Sequence, residues 1–183
     1  MKKVIVKNKL RNKDDFVQKL YEIGMKFTDV YYLHDRVYVP RGYKRGMNYP
    51  RLVMRTTMKA VDKTPTYKVI LKRHIEDSGV DMVDTTVVKD YVEMVNIIHQ
   101  LGFKKVAEVS RQRQKLKLSE LRIYLDKVEG LPGYYAKMES PVAEGERVSA
   151  VQMDLARTFE TLGQSKKVAD QSYAEMLSAA TRI

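Results

Sequence analysis

Between Val106 and Ser140 the chain sets cations at every second residue. Val109, Arg111, Arg113, Lys115 and Lys117 share one parity, while Leu116 and Leu118 share the other. A strand sends successive side chains to opposite faces, so these four cations line one face of a sheet. Cations in such a row hold anions, and the forked donors of arginine suit phosphate oxygens in particular. After a polar turn at Ser119–Glu120, Arg122, Tyr124 and Asp126 alternate with Leu121, Ile123 and Leu125. Beyond the turn Gly130–Leu131–Pro132–Gly133, Tyr135, Lys137 and Glu139 alternate with Tyr134, Ala136 and Met138. A solvated outer face gives the same alternation. Its recurrence through most of the chain weakens that reading.

The same period runs through earlier segments. Ile5, Lys7 and Lys9 oppose Val4 and Val6; Arg51, Val53, Arg55 and Thr57 oppose Leu52, Met54 and Met58; Lys68, Ile70 and Lys72 oppose Tyr67, Val69 and Leu71. The run DVYYLHDRVYVPRG and the run GVDMVDTTVV after Ser78–Gly79 read as further strands by composition. Helices are predicted between them. One begins at Asn12 or Lys13, with Asp14 and Asp15 in its first turn, a stripe of Phe16, Leu20 and Ile23, and Gly24 as cap. Another follows the capping spacing Asp90–Glu93, with Val92, Val95, Ile98 and Leu101 before Gly102. Past Pro141 a stripe of Val148, Val151, Leu155, Phe159 and Leu162 ends at Gly163, and Tyr173, Met176 and Leu177 anchor a last short helix. Hairpin-length connections make the strands mostly antiparallel. The predicted fold class is α+β: an eight-stranded, mostly antiparallel, closed or near-closed β-barrel with flanking helices. Residues 1–183 are expected to form a single domain, with the strands and two inserted helices in 1–141 and the C-terminal helices in 143–181.

Composition narrows the function classes. The 183 residues carry a formal net charge of +11 and no cysteine, which excludes disulfides and thiolate sites. The charge implies an anionic partner: a phosphorylated small molecule, or a nucleic acid. No run approaches the roughly 18 apolar residues of a membrane span, and the N-terminus lacks a secretory apolar core, so a cytoplasmic location with no membrane partner is expected. His34, His74 and His99 show no metal-ligand spacing. Lys44–Arg45–Gly46 lacks the strand–turn–helix setting of a phosphate loop. Tyr32 and Tyr124 are assigned to charged faces, where they would touch a ligand base.

Element order and motifs together resemble the CYTH domain, or triphosphate tunnel fold, of class IV adenylyl cyclases and thiamine and inorganic triphosphatases. The residues that carry the resemblance are Leu101–Gly102–Phe103, Arg111–Gln112–Arg113, Leu125–Asp126 with the turn through Gly130 and Gly133, and Ser172–Tyr173 with Met176–Leu177. The resemblance implies a tunnel that holds a triphosphate on inward cations, with Mg2+ or Mn2+ on inward carboxylates when the member is catalytic. It implies phosphate-binding roles for Lys9, Arg55, Lys72, Arg111 and Arg113, metal-binding roles for Asp126 and Glu139, with Asp81 or Asp84 as an additional acid, and a homodimer.

One departure bears on chemistry. Where the family has Glu-x-Glu-x-Lys, the chain has Ile5–Val6–Lys7–Asn8–Lys9, and where it has a second pair of acids, Lys137–Met138–Glu139 keeps one. Two ammonium groups within about 4–6 Å of a dication would oppose it by a few kcal/mol at least. Lys7 and Lys137 are therefore expected to supply positive charge in place of metal and join the phosphate-binding set. Three functions follow: a binding module for a nucleoside triphosphate, polyphosphate or cyclic nucleotide; a triphosphatase or cyclase on a reduced metal site; or a nucleic-acid-binding surface. Charge reversal at Arg113 is expected to remove ligand binding and leave the fold intact.

Overall fold

The computed structural model describes residues 2–44, 49–75, 80–118, 121–165 and 171–180, with the side chains of 2–3, 74–75, 80–81 and 118 outside the description. Three expected turns, Arg45–Gly46, Ser78–Gly79 and Ser119–Glu120, fall outside the described residues, as do the side chains of Asp81 and His74. Eight strands alternate with four helices: β1 (Lys2–Lys9), α1 (Lys13–Glu22), β2 (Lys26–Pro40), β3 (Arg51–Lys59), β4 (Thr66–Ile75), β5 (Val80–Val88), α2 (Tyr91–Gln100), β6 (Phe103–Leu118), β7 (Leu121–Val128), β8 (Tyr135–Pro141), α3 (Val148–Thr161) and α4 (Tyr173–Ala180). The strands close into an antiparallel barrel in the order β1-β5-β4-β3-β2-β6-β7-β8. Its seam is narrow, because β1 and β5 overlap only at Lys2–Met82 and Lys3–Asp81.

The period-two pattern dictates which face each strand turns inward. Val4 and Val6 of β1, Leu116 of β6, Ile123 and Leu125 of β7 and Met138 of β8 form an outer apolar patch, covered by Phe16 and Leu20 of α1 and Val151, Leu155 and Phe159 of α3. Phe16 and Phe159 stack at 6.3 Å between ring centroids. On the other flank α2 lays Ile98 over Tyr38 and Met54. Burying each of these large apolar side chains is worth about 1.5–3 kcal/mol, which is what fixes the helices to the outer wall. α1 starts on Asn12, whose side chain accepts from the backbone N–H groups of Asp14 and Asp15.

Two predicted helix stripes run too far. Ile23 and Leu101 are exposed just past the last residues of α1 and α2, and Val92 is exposed because the buried stripe of α2 runs through Tyr91, Met94, Val95 and Ile98 instead. Among the described residues no helix is long and apolar enough to cross a membrane.

α4 does not join the outer layer. Tyr173, Ala174, Met176 and Leu177 pack against Val109, Val128, Leu131 and Tyr135, and Ala174 also meets the inward cluster Val37, Val53 and Ile70. The helix thus closes one end of the barrel by resting on the apolar end of its lining. Gly130 makes this approach feasible. It holds φ at +78°, and a Cβ there would lie 3.0 Å from Leu177 Cδ2.

Candidate functional site

Register turns the parity pattern into rows across the barrel wall. Along one row Lys68, Arg55, Asp35 and Val109 are successive cross-strand neighbours. Along another, Tyr31, Arg113, Asp126, Tyr135 and Lys9 follow one another. A third runs Asp29, Lys115, Tyr124, Lys137 and Lys7. Each row is a set of inward residues on adjacent strands, so the cations expected from the sequence converge although they are far apart in the chain.

At the centre lies a chain of ion pairs, Arg55–Asp35–Arg111–Asp126–Arg113. Arg55 donates Nε and Nη2 to Asp35 at 2.6 and 2.8 Å, and Arg111 donates Nη2 to the same carboxylate at 2.9 Å. Arg113 donates Nε and Nη2 to Asp126, both at 2.6 Å, while Arg111 Nε stands 3.8 Å from Asp126 Oδ2 without a hydrogen bond. Tyr173 of α4 donates its hydroxyl to Asp126 at 2.9 Å. Asp126 is wholly buried, and Asp35, Arg111 and Arg113 nearly so. Burial pushes the Asp126 carboxyl up, but Arg113 and Arg111 outweigh it and hold the group down at about 2. Asp35 is held well below the usual carboxylate range by Arg111 and Arg55 against the same effect of burial. Three guanidinium groups on two carboxylates leave a buried excess of positive charge. The Nε–Nη2 edges of Arg55 and Arg113 are spent on aspartate, so their Nη1 edges remain for a ligand.

Lys7 and Lys137 add to that excess. They face each other across the β1–β8 ladder. Burial and its neighbour Lys137 push Lys7 down to about 8. Burial also brings Lys137 down to about 8, although Glu139 works against it. Lys7 donates to the backbone carbonyl of Gln171 and sits 4.6 Å above the Tyr173 ring. Lys137 donates to Glu139 and lies 5.3 Å from the Tyr124 ring, which Arg113 also covers at 4.5 Å. Lys72 faces inward beside Arg51 and is close enough to lower Asp35 further.

Of the expected phosphate-binding residues, Lys7, Arg55, Lys72, Arg111, Arg113 and Lys137 come together. Lys9 does not, being exposed at the end of β1. Tyr124 lies inside, whereas Tyr32 shares the outward parity of its strand and is 48% exposed. Asp84 also points outward, opposite Leu71, and supplies no inward acid. Arg113→Glu is no longer expected to spare the fold, because Arg113 is buried in a bidentate pair with Asp126 and a second carboxylate there would set two anions against each other in the interior.

Asp35, Tyr173 and Glu175 were missed. Asp35 carried a signal in its parity, since it shares the inward face with Leu33 and Val37, where an acid needs a partner. Glu175 caps α4 by accepting from the N–H and hydroxyl of Ser172 and stands 3.6 Å from Arg51. Its contact with the tunnel depends on where α4 docks, which no local pattern encodes.

The donor set was weighed for a divalent cation. Such an ion needs several free carboxylate oxygens around one point. Both oxygens of Asp126 already accept from Arg113 or Tyr173, and Glu139 accepts from Lys137 and, at 3.4 Å, from Tyr124. Lys7 stands in the same region, and among the described residues no group of three or more His, Asp or Glu side chains converges. As arranged, these residues do not fit a divalent cation.

Comparison with known proteins agrees with the architecture. The family profile described as the CYTH domain matches residues 1–173. No curated protein matches the sequence. Among solved structures, the PH1819 protein of Pyrococcus horikoshii superposes with a TM-score of 0.83 at 23% identity, over 97% of this chain and 98% of its own. A candidate adenylate cyclase of Vibrio parahaemolyticus superposes with a TM-score of 0.79 at 17% identity, over 96% and 97% of the two chains. HpAC1 of Hippeastrum, described as a candidate adenylyl cyclase with a dominant triphosphatase activity, gives 0.63 at 13% identity over 98% and 96%.

Proposed function

This chain belongs to the CYTH domain family, and we propose that its tunnel binds a triphosphate or similarly phosphorylated ligand without the help of a metal ion. The observation that carries the reading is the state of the two acids on metal-matching positions. Asp126 is locked to Arg113 and Glu139 to Lys137, while Lys7 brings an ammonium group to the same wall. A dication bound there would have to displace arginine from a buried aspartate, leaving a buried guanidinium unpaired at a cost of several kcal/mol. A polyanion needs no such exchange. It meets the Nη1 edges of Arg55 and Arg113, the orphaned Nε of Arg111, and the ammonium groups of Lys7, Lys72 and Lys137. Charge-assisted donors in a water-poor interior are worth about 1.5–3 kcal/mol each, so a few of them suffice for micromolar affinity.

An enzyme reading has support of its own in the triphosphatase activity attached to HpAC1. Fold similarity at this identity does not transfer chemistry. Phosphorus NMR separates the two readings in one sample. Tripolyphosphate added in EDTA is expected to broaden and shift on binding, with no orthophosphate signal appearing when Mg2+ or Mn2+ replaces EDTA. Steady release of orthophosphate or pyrophosphate with metal would establish the enzyme.

A further inference from the structure

α4 covers one end of the barrel, and no helix lies across the other among the described residues. The cation stripe does not stop with the buried group but runs on toward the open end. Along β6 the inward positions Arg111, Arg113, Lys115 and Lys117 cover about 20 Å of strand. Only Arg111 and Arg113 are matched by buried aspartates. Beyond them the register sets like charges side by side: Lys26 opposite Lys117, and Lys117 opposite Arg122. Lys59, the last residue of β3, joins this end. Opposed like charges on adjacent strands destabilise a sheet. Among the described residues Lys26, Lys115, Lys117 and Arg122 form no ion pair that would relieve it. Among the described residues the acids nearby are Asp29 opposite Lys115, Glu139 opposite Arg122 but held by Lys137, and Asp62 near Lys59, fewer than the cations they face.

We propose that this open mouth is a second anion subsite, centred on Lys26, Lys117 and Arg122, which receives the phosphates of a linear polyphosphate whose end lies in the tunnel. The inference rests on the tunnel binding phosphate, as argued above, and adds chain length as the property the protein selects. A tripolyphosphate covers less than half of the stripe from Arg111 to Lys117. A longer chain lies along it and satisfies the facing lysines. Inorganic polyphosphate fits better than RNA because Tyr124, the inward aromatic next to Arg122, is already engaged with Arg113 and Lys137 and presents no free stacking platform.

The test is titration of the full chain in EDTA with tripolyphosphate, with a size-fractionated polyphosphate long enough to span the stripe (~20 Å), and with 5′-hydroxyl single-stranded RNA of equal charge. The variant Lys26→Gln/Lys117→Gln/Arg122→Gln alters exposed positions only. The expected result is at least tenfold tighter binding of the long chain than of tripolyphosphate, with a steeper salt dependence. The variant should lose about tenfold for the long chain and little for tripolyphosphate. Equal affinity for short and long chains, or a long-chain affinity unchanged in the variant, overturns the subsite while leaving the tunnel intact. RNA binding as tight as polyphosphate overturns it in favour of a nucleic-acid surface. Failure of tripolyphosphate itself to bind refutes the tunnel reading.

Discussion

Asp126 carries the chemical distinction at the scale of single residues. In a metal site it would be a ligand; here it accepts from Arg113 through both oxygens and from Tyr173, and it positions guanidinium groups. Two consequences follow. Asp126→Asn strips the charge that compensates two buried arginines and is expected to destabilise the fold by about 3–5 kcal/mol. Tyr173→Phe removes a single hydrogen bond and should cost about 1 kcal/mol. Denaturant melts of the two variants check the ratio, and near-equal losses would mean that the ion-pair chain is not what secures the interior. Lys7 offers a complementary probe, because Lys7→Glu puts a carboxylate where the CYTH family has one. Its expected phenotype is at least tenfold weaker tripolyphosphate binding in EDTA, from a lost charged contact and a new repulsion. Recovery with Mg2+ would show that Lys7 had been doing the work of a cation. Much of this was legible beforehand, since parity alone assigns Lys7, Arg55, Lys72, Arg111, Arg113 and Lys137 to inward faces. The partners of those residues were not, because Asp35–Arg55 and Lys7–Lys137 join strands through register, and β1 meets β8 from opposite ends of the chain.

Among the elements, α4 is the one whose role the chain hides. Its anchors Tyr173, Met176 and Leu177 are readable as an apolar stripe, yet the stripe alone does not say whether the helix packs outside the barrel or across its end. The tight turn at Gly130 decides this by letting Leu177 approach within 3.0 Å of where a side chain would begin. Gly130→Ala therefore combines a left-handed backbone with a clash, at an expected cost of about 1–2 kcal/mol. Hydrogen exchange should localise the loosening to α4 and leave α1 and α3 protected; uniform loosening would deny α4 a separate seating. Apolar periodicity misplaces Ile23, Val92 and Leu101 for a related reason: it fixes neither the last helical residue, which Ile23 and Leu101 follow, nor the phase of the buried stripe, which takes Tyr91 rather than Val92.

For the whole molecule, the buried excess of positive charge predicts how stability responds to pH. Lys7 and Lys137 titrate near 8 in the folded protein against 10.5 as free groups. Between these values the unfolded chain binds more protons than the folded one, so stability rises with pH across that window. The gain is cut short above about pH 10, where tyrosines begin to ionise in the unfolded chain. Tyr31, raised to about 12 by burial and Asp29, stays protonated in the folded protein and so favours unfolding as pH climbs. Urea midpoints at pH 7.5, 9 and 10 should therefore increase in the apo protein. A monotonic fall would mean that the lysines are not desolvated together. Ligand binding has the opposite sign, because the phosphates need both ammonium groups charged, and affinity is expected to weaken as pH passes 8.

On the reading proposed above, lysine and arginine hold the triphosphate in place of a metal ion, and isothermal titration with tripolyphosphate in EDTA at pH 7, repeated with Mg2+, is the measurement that decides it. A saturable micromolar isotherm in EDTA, unchanged or weaker with Mg2+, is the predicted result. Binding that appears only when Mg2+ is added would contradict it and return Asp126 and Glu139 to the role of metal ligands.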